Sequence, residues 1–165
     1  MIERPQHRDL TRAELRTLAR RLAGRTELWE NLIHHDPGQR HYEELIRDRH
    51  LGAWLICWMD DHDTGFHDHD VSAGAVAVVR GAVREERLTV GAATIDRSVG
   101  AGGGFDFGPD TIHRVRHTGD EPAVTLHLYS PPLWRMGAYL IDDEGSLRRR
   151  SISAAEELRP LEAAA

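Results

Sequence analysis

His67 and His69 stand two residues apart in the stretch Phe66-His67-Asp68-His69-Asp70. In an extended chain, residues i and i+2 project to the same face, so both imidazoles aim at one point. Neutral imidazole nitrogen is the commonest metal ligand, and two rings converging in this way point to a metal. A third ligand is offered by the segment 102–119, where Gly108-Pro109-Asp110 signals a turn that delivers the chain into Thr111-Ile112-His113. On the strand that follows, His113, Val115 and His117 share one face, and Ile112, Arg114 and Arg116 share the other. His113 meets His67 and His69 if the two segments face each other across a barrel.

The elements that must position these residues are mostly short strands. Residues 9–35 carry Leu15, Leu18 and Leu22 at helical spacing, continued by Trp29, Leu32 and Ile33. Thr11 with Glu14 three residues on has the form of a capping box. Two short helices are predicted here, broken near Gly24-Arg25-Thr26. From residue 42 onward, β-rich runs alternate with Gly, Asp and Pro clusters. They fall at 53–59, 75–79, 83–90, 111–117, 123–130 and 137–142. That spacing predicts a sandwich or barrel. The reading is one domain over residues 1–165: a helical segment at 1–38, a β-barrel at 40–152 and a tail at 153–165 that is a last helical turn or a frayed end.

Bulk composition narrows the function. A chain of 165 residues buries roughly 70% of its unfolded surface and needs no disulfide or structural metal to fold. The net charge of −6 leaves no basic footprint for nucleic acid. Cys57 is the one cysteine, which rules out an internal disulfide and fits a reducing, cytoplasmic setting. The first ten residues lack the apolar core of a signal peptide, and no apolar run approaches a membrane span. Eleven histidines is the unusual count, and it directs attention to metal chemistry.

The two histidine segments resemble the paired motifs of the cupins. Most cupins place a Glu ligand shortly after His-x-His. Here Ala73 and Gly74 occupy those places, and neither binds a metal. Glu85 and Glu86 come later, past a turn at Gly81, in the run Arg84-Glu85-Glu86-Arg87 that reads as a solvated strand edge. Three neutral histidines leave the full charge of a divalent metal uncompensated, so the site welcomes an anion such as a thiolate.

A further run, Ala123-Val124-Thr125-Leu126-His127-Leu128-Tyr129-Ser130-Pro131-Pro132-Leu133, resembles the cysteine dioxygenase family. The segments 67–74, 112–115 and 55–58 match that family in the same order. The resemblance implies a mainly β cupin barrel with short N-terminal helices. It also implies one ferrous ion, Fe(2+), and oxidation of a small thiol or thione to its sulfinate by dioxygen. Carried over by position, His67, His69 and His113 are the iron ligands, and Thr125, His127 and Tyr129 form a hydrogen-bonded relay. Strand alternation independently puts those last three on one face. Ser130-Pro131 falls where the family often has a cis peptide bond. Gly74 stands where animal members carry a cysteine cross-linked to the tyrosine, so no such cross-link forms here. The family's L-cysteine enzymes grip the substrate carboxylate with an Arg, and aligning 40–46 with that motif sets His41 and Glu43 in the substrate-binding places. Glu43 favours a cationic thiol such as cysteamine or ergothioneine over L-cysteine. L-cysteine or 3-mercaptopropionate is the alternative substrate. A different cupin enzyme, an isomerase or ring-cleaving dioxygenase, and a non-catalytic metal-binding cupin are the competing functions. A monomer or small homo-oligomer is expected, with no membrane partner. His62 and His117 read as solvent-exposed, and Cys57 as inert core.

Overall fold

The computed structural model describes residues 3–5, 7–89, 94–141 and 147–153. Helix α1 spans Arg12–Ala23. Its start is the expected capping box: Thr11 Oγ1 accepts the Glu14 N–H and the Glu14 carboxylate accepts the Thr11 N–H at 2.8 Å. Leu15, Leu18, Ala19 and Leu22 form its buried face. The second predicted helix is replaced by two single 3₁₀ turns, Thr26–Leu28 and Glu30–Leu32. Trp29 breaks the pattern between them at φ −144°. Its indole is buried, and its N–H is donated to the Leu22 carbonyl at 3.1 Å, so tertiary packing overrides the helical spacing.

Among the described residues, eleven strands follow and pair antiparallel in two sheets. The first sheet has the order β1 (His41–Arg47), β2 (Gly52–Trp58), β9 (Ala123–Ser130), β4 (Ala73–Arg80), β7 (Gly104–Phe107). The second has the order β11 (Leu147–Ser153), β10 (Arg135–Ile141), β3 (His67–Asp68), β8 (His113–Thr118), β5 (Ala82–Arg87), β6 (Ile95–Gly100). This is the mainly β cupin architecture. The tail beyond Ser153 lies outside the described residues.

Two apolar cores sit on the two faces of the first sheet. On the outer face, α1 covers Leu55 and Cys57 of β2, Ala75 and Ala77 of β4, and Val124, Leu126 and Leu128 of β9. On the inner face, Ile56, Trp58, Val76 and Tyr129 pack against Val83, Val115, Met136, Ala138 and Ile152 of the second sheet. A strand covered on both sides buries every residue, and all eight residues of β9 are buried. Alternation then decides which of them face the barrel interior. The leucines face the helix, and Thr125, His127 and Tyr129 take the other parity.

Gly74 shows how closely this interior is filled. It pairs with Tyr129 on one side and with Phe107 on the other. A Cβ at Gly74 would lie 2.2 Å from Phe107 Cζ. Phe107 in turn stacks on the His69 ring, with centroids 4.2 Å apart and planes 21° from parallel. Replacing Gly74 by Ala forces Phe107 off that ring. Overpacking of this kind costs about 1–3 kcal/mol. Urea unfolding should show Gly74→Ala destabilised by that amount, with much of the loss recovered in the double variant Gly74→Ala/Phe107→Leu. A Gly74→Ala variant as stable as the parent would remove this packing constraint.

Candidate metal centre

The three histidines reach one point by three routes. β3 is two residues long, and its His67 lies directly opposite His113 of β8. His69 follows at the same parity, just after the strand ends. Asp68, between them, points the other way and is tightly held. It accepts from Arg149 Nε at 2.6 Å and Nη2 at 2.9 Å, from the Tyr139 hydroxyl at 2.7 Å, and from the N–H of Asp70 and Gly137. Burial opposes its charge, but these donors hold its carboxyl well below the usual range.

One ligand atom from each of His67, His69 and His113 lies within 4.8 Å of the others. All three side chains are buried. Their ring nitrogens are treated differently. His67 Nδ1 is 3.0 Å from the Gly65 carbonyl, and His113 Nδ1 is 2.9 Å from Glu85 Oε1, so each donates there and keeps Nε2 as the lone-pair nitrogen. His69 is fully buried, and neither of its ring nitrogens has a hydrogen-bond partner. A buried imidazole without a partner is costly unless a cation accepts its lone pair. Burial also holds His69 and His113 well below the usual histidine range, so both present lone pairs rather than charges. The residues therefore fit a metal ion.

The predicted relay is assembled beside the cluster. Tyr129 Oη is 3.2 Å from His127 Nδ1, and His127 Nε2 is 2.9 Å from Thr125 Oγ1. Trp58 Nε1–H donates to Thr125 Oγ1 at 2.8 Å and closes the chain. Burial, with smaller contributions from His67 and Arg40, pushes His127 down to about 3. It is a neutral imidazole that can donate at one nitrogen and accept at the other.

Both assemblies open on one small cavity of about 30 Å³. His67, His113, His127 and Tyr129 line its polar side. On the β1 side the cavity is lined by Tyr42 and by Arg40, just before the strand, and not by His41 and Glu43. The two sets differ by one step of strand parity, which reverses the face. His41 faces the helix side opposite Cys57 and pairs with Glu43 at 3.2 Å, where the Glu43 side chain is 42% exposed. Arg40 sits 5.5 Å above the ring centroids of both Tyr42 and Trp58.

Three other expectations change. Glu85 is not on a solvated edge: it is 0% exposed and faces inward with Val83, a placement that strand alternation would have indicated. His62 is buried, its Nδ1 accepting the Met59 N–H at 2.9 Å. The His117 side chain is also sequestered, against Asp60 and the Glu121 carbonyl. Cys57 is buried core, as expected, and the Ser130-Pro131 bond is cis.

The buried neutral histidines set the acid stability of the metal-free chain. Unfolded, each takes a proton near about pH 6.5, whereas folded His127 resists until about 3. Below that unfolded value the unfolded state binds more protons, so stability falls as pH falls. Each such histidine contributes a slope of up to about 1.4 kcal/mol per pH unit. Urea titrations of metal-stripped protein should lose stability steadily from about pH 6.5 to about pH 5, and added divalent metal should offset the loss. A flat profile would contradict the buried neutral assignment.

Comparison with known proteins agrees with this geometry. Rat cysteine dioxygenase type 1 is 30% identical over 108 residues, covering 57% of this chain and 53% of the rat protein. The zebrafish (Danio rerio) protein is 32% identical over 88 residues, covering 47% of this chain and 44% of its own length. The chain thus spans about half the length of these relatives. Among solved structures, a Thermus thermophilus protein superposes with a TM-score of 0.55 at 16% identity, over 62% of this chain and 92% of that one. A double-stranded β-helix protein from Klebsiella pneumoniae gives 0.54 at 15% identity, over 62% and 85%. No helix among the described residues is long and apolar enough to cross a membrane. The cysteine dioxygenase type I family matches residues 8–141, and the chain belongs to that family.

Proposed function

We propose that the protein oxidises a small carboxylated thiol to its sulfinate with dioxygen, using Fe(2+) held by His67, His69 and His113. The observation that carries this reading is the shared cavity. It joins the histidine cluster to the Tyr129 hydroxyl and to the Arg40 guanidinium. In the reaction, RSH and O₂ give RSO₂⁻ and H⁺. Two S–O bonds form, the O–O bond breaks, and sulfur gives up the four electrons that dioxygen takes. A bound ferrous ion supplies the electron exchange that ground-state dioxygen needs to react with a thiolate.

The chain's own residues do the rest. Arg40 pairs with the substrate carboxylate through two N–H donors. Ile56, Val115, Leu133 and Met136 make the cavity wall apolar, which excludes water and strengthens each polar contact. The Tyr129 hydroxyl hydrogen-bonds the reacting end of the substrate. His127 takes or returns that hydroxyl's proton at Nδ1, while Trp58 and Thr125 anchor Nε2. Support for a cationic thiol weakens because Glu43 is not part of the cavity wall.

Single Ala variants of His67, His69 or His113 should lose most of their bound iron by metal analysis, and each variant retaining stoichiometric iron would sink the ligand assignment. Tyr129→Phe should keep its iron but turn over about 10–100-fold more slowly, the usual scale for a group next to the ligands. Removing a charged hydrogen bond is worth about 1.5–3 kcal/mol. Arg40→Gln should therefore raise KM for L-cysteine and 3-mercaptopropionate about 10–100-fold and leave cysteamine nearly unchanged. Dioxygen-uptake assays that find cysteamine or ergothioneine preferred by the parent protein would reject the carboxylate reading.

A further inference from the structure

Glu85 is a fully buried carboxylate that the reaction above does not use. It sits on β5, opposite Val115 of β8 on one side and Arg97 of β6 on the other. Every described contact to it comes from a donor. Oε1 accepts His113 Nδ1–H at 2.9 Å and Arg87 Nε–H at 2.7 Å. Oε2 accepts Arg97 Nε–H at 2.8 Å and Nη2–H at 2.6 Å. The arginines are themselves held. Arg87 Nη2–H donates to the Asp106 carbonyl at 2.8 Å, and Arg97 lies 5.5 Å over the Phe105 ring.

A buried carboxylate is expensive, and a hydrophobic residue of similar volume would often serve stability as well. What Glu85 adds is specific to His113. An ionised carboxylate only accepts, so the nitrogen facing it must carry the proton. Nδ1–H on Glu85 makes Nε2 the lone-pair nitrogen and fixes the ring plane. His67 Nδ1 faces the neutral Gly65 carbonyl, and the ring nitrogens of His69 have no hydrogen-bond partner. We propose that Glu85, clamped by Arg87 and Arg97, is a positioning residue for the metal centre: acting through His113, it fixes that ligand's tautomer and strengthens it as a donor. The carboxylate missing from places 73 and 74 is thus present behind the third histidine rather than among the ligands. This inference rests on the three-histidine metal reading.

The test uses the full chain and metal ions alone. Competition with a chelator should show Co(II) and Fe(II) bound about 10–100-fold more weakly by Glu85→Gln than by the parent. Nitrogen-15 NMR of the Zn(II)-loaded parent should show His113 protonated at Nδ1 in slow exchange with water and metallated at Nε2. This measurement needs no variant and stands even where Glu85→Gln fails to fold. A role confined to stability would lower the unfolding midpoint of Glu85→Gln and leave its metal affinity at the parent's value, and that outcome overturns the proposal. So does a His113 metallated at Nδ1. A parent protein that binds none of these metals would instead overturn the metal reading, and this inference with it.

Discussion

Two histidines of equal parity can share a cavity only if the residue between them is held on the other side. Asp68 meets that requirement. Its carboxylate takes five donors, from Arg149, Tyr139 and the backbone of Gly137 and Asp70. Four of these come from β10 and β11, so the last two strands of the described fold fix the orientation of its shortest strand, β3. A two-residue strand has too few ladder bonds to set its own register. The buried charge supplies what the backbone cannot. With Asp68 pinned outward, His67 and His69 have no option but to face inward, where β8 brings His113 directly opposite.

The same parity logic organises the other half of the site. β9 lies between β2 and β4 with α1 behind it. Val124, Leu126 and Leu128 face the helix, which turns Thr125, His127 and Tyr129 toward the interior. The apolar contacts on one face of the strand therefore aim the relay on the other. Gly74 next to Tyr129 leaves room for Phe107, whose ring supports His69. Packing between side chains, not a covalent cross-link, holds the tyrosine side of this cavity.

Much of this was legible in the sequence because local spacing carried it. His67 with His69, and Thr125 with His127 and Tyr129, announce a shared face by period two alone. The turn before His113 and the capping box at Thr11 are equally local. What could not be read depended on partners far along the chain. Glu85 looked solvated amid Arg84, Glu86 and Arg87, since its burial rests on His113 and Arg97 across two strand pairings. Its parity with Val83 was the available clue. β6 and β11 carry mostly exposed residues and lack the apolar alternation that would mark them. In β1 the matched motif sets His41 and Glu43 at the substrate, one step of parity away from Tyr42 and from Arg40 just before the strand, which line the cavity.

That parity decides the electrostatics of the site. The carboxylates closest to the histidines are already matched: Asp68 by Arg149, and Glu85 by Arg87 and Arg97. His69, His113 and His127 are held neutral by burial. Arg40 adds a guanidinium to the cavity wall. A cavity this small and apolar screens such charges weakly. Under the proposed function, a substrate with an anion at each end satisfies both poles at once: its thiolate faces the metal and its carboxylate faces Arg40. A cationic thiol satisfies only one pole and is repelled at the other, so charge alone sorts substrates that differ little in size.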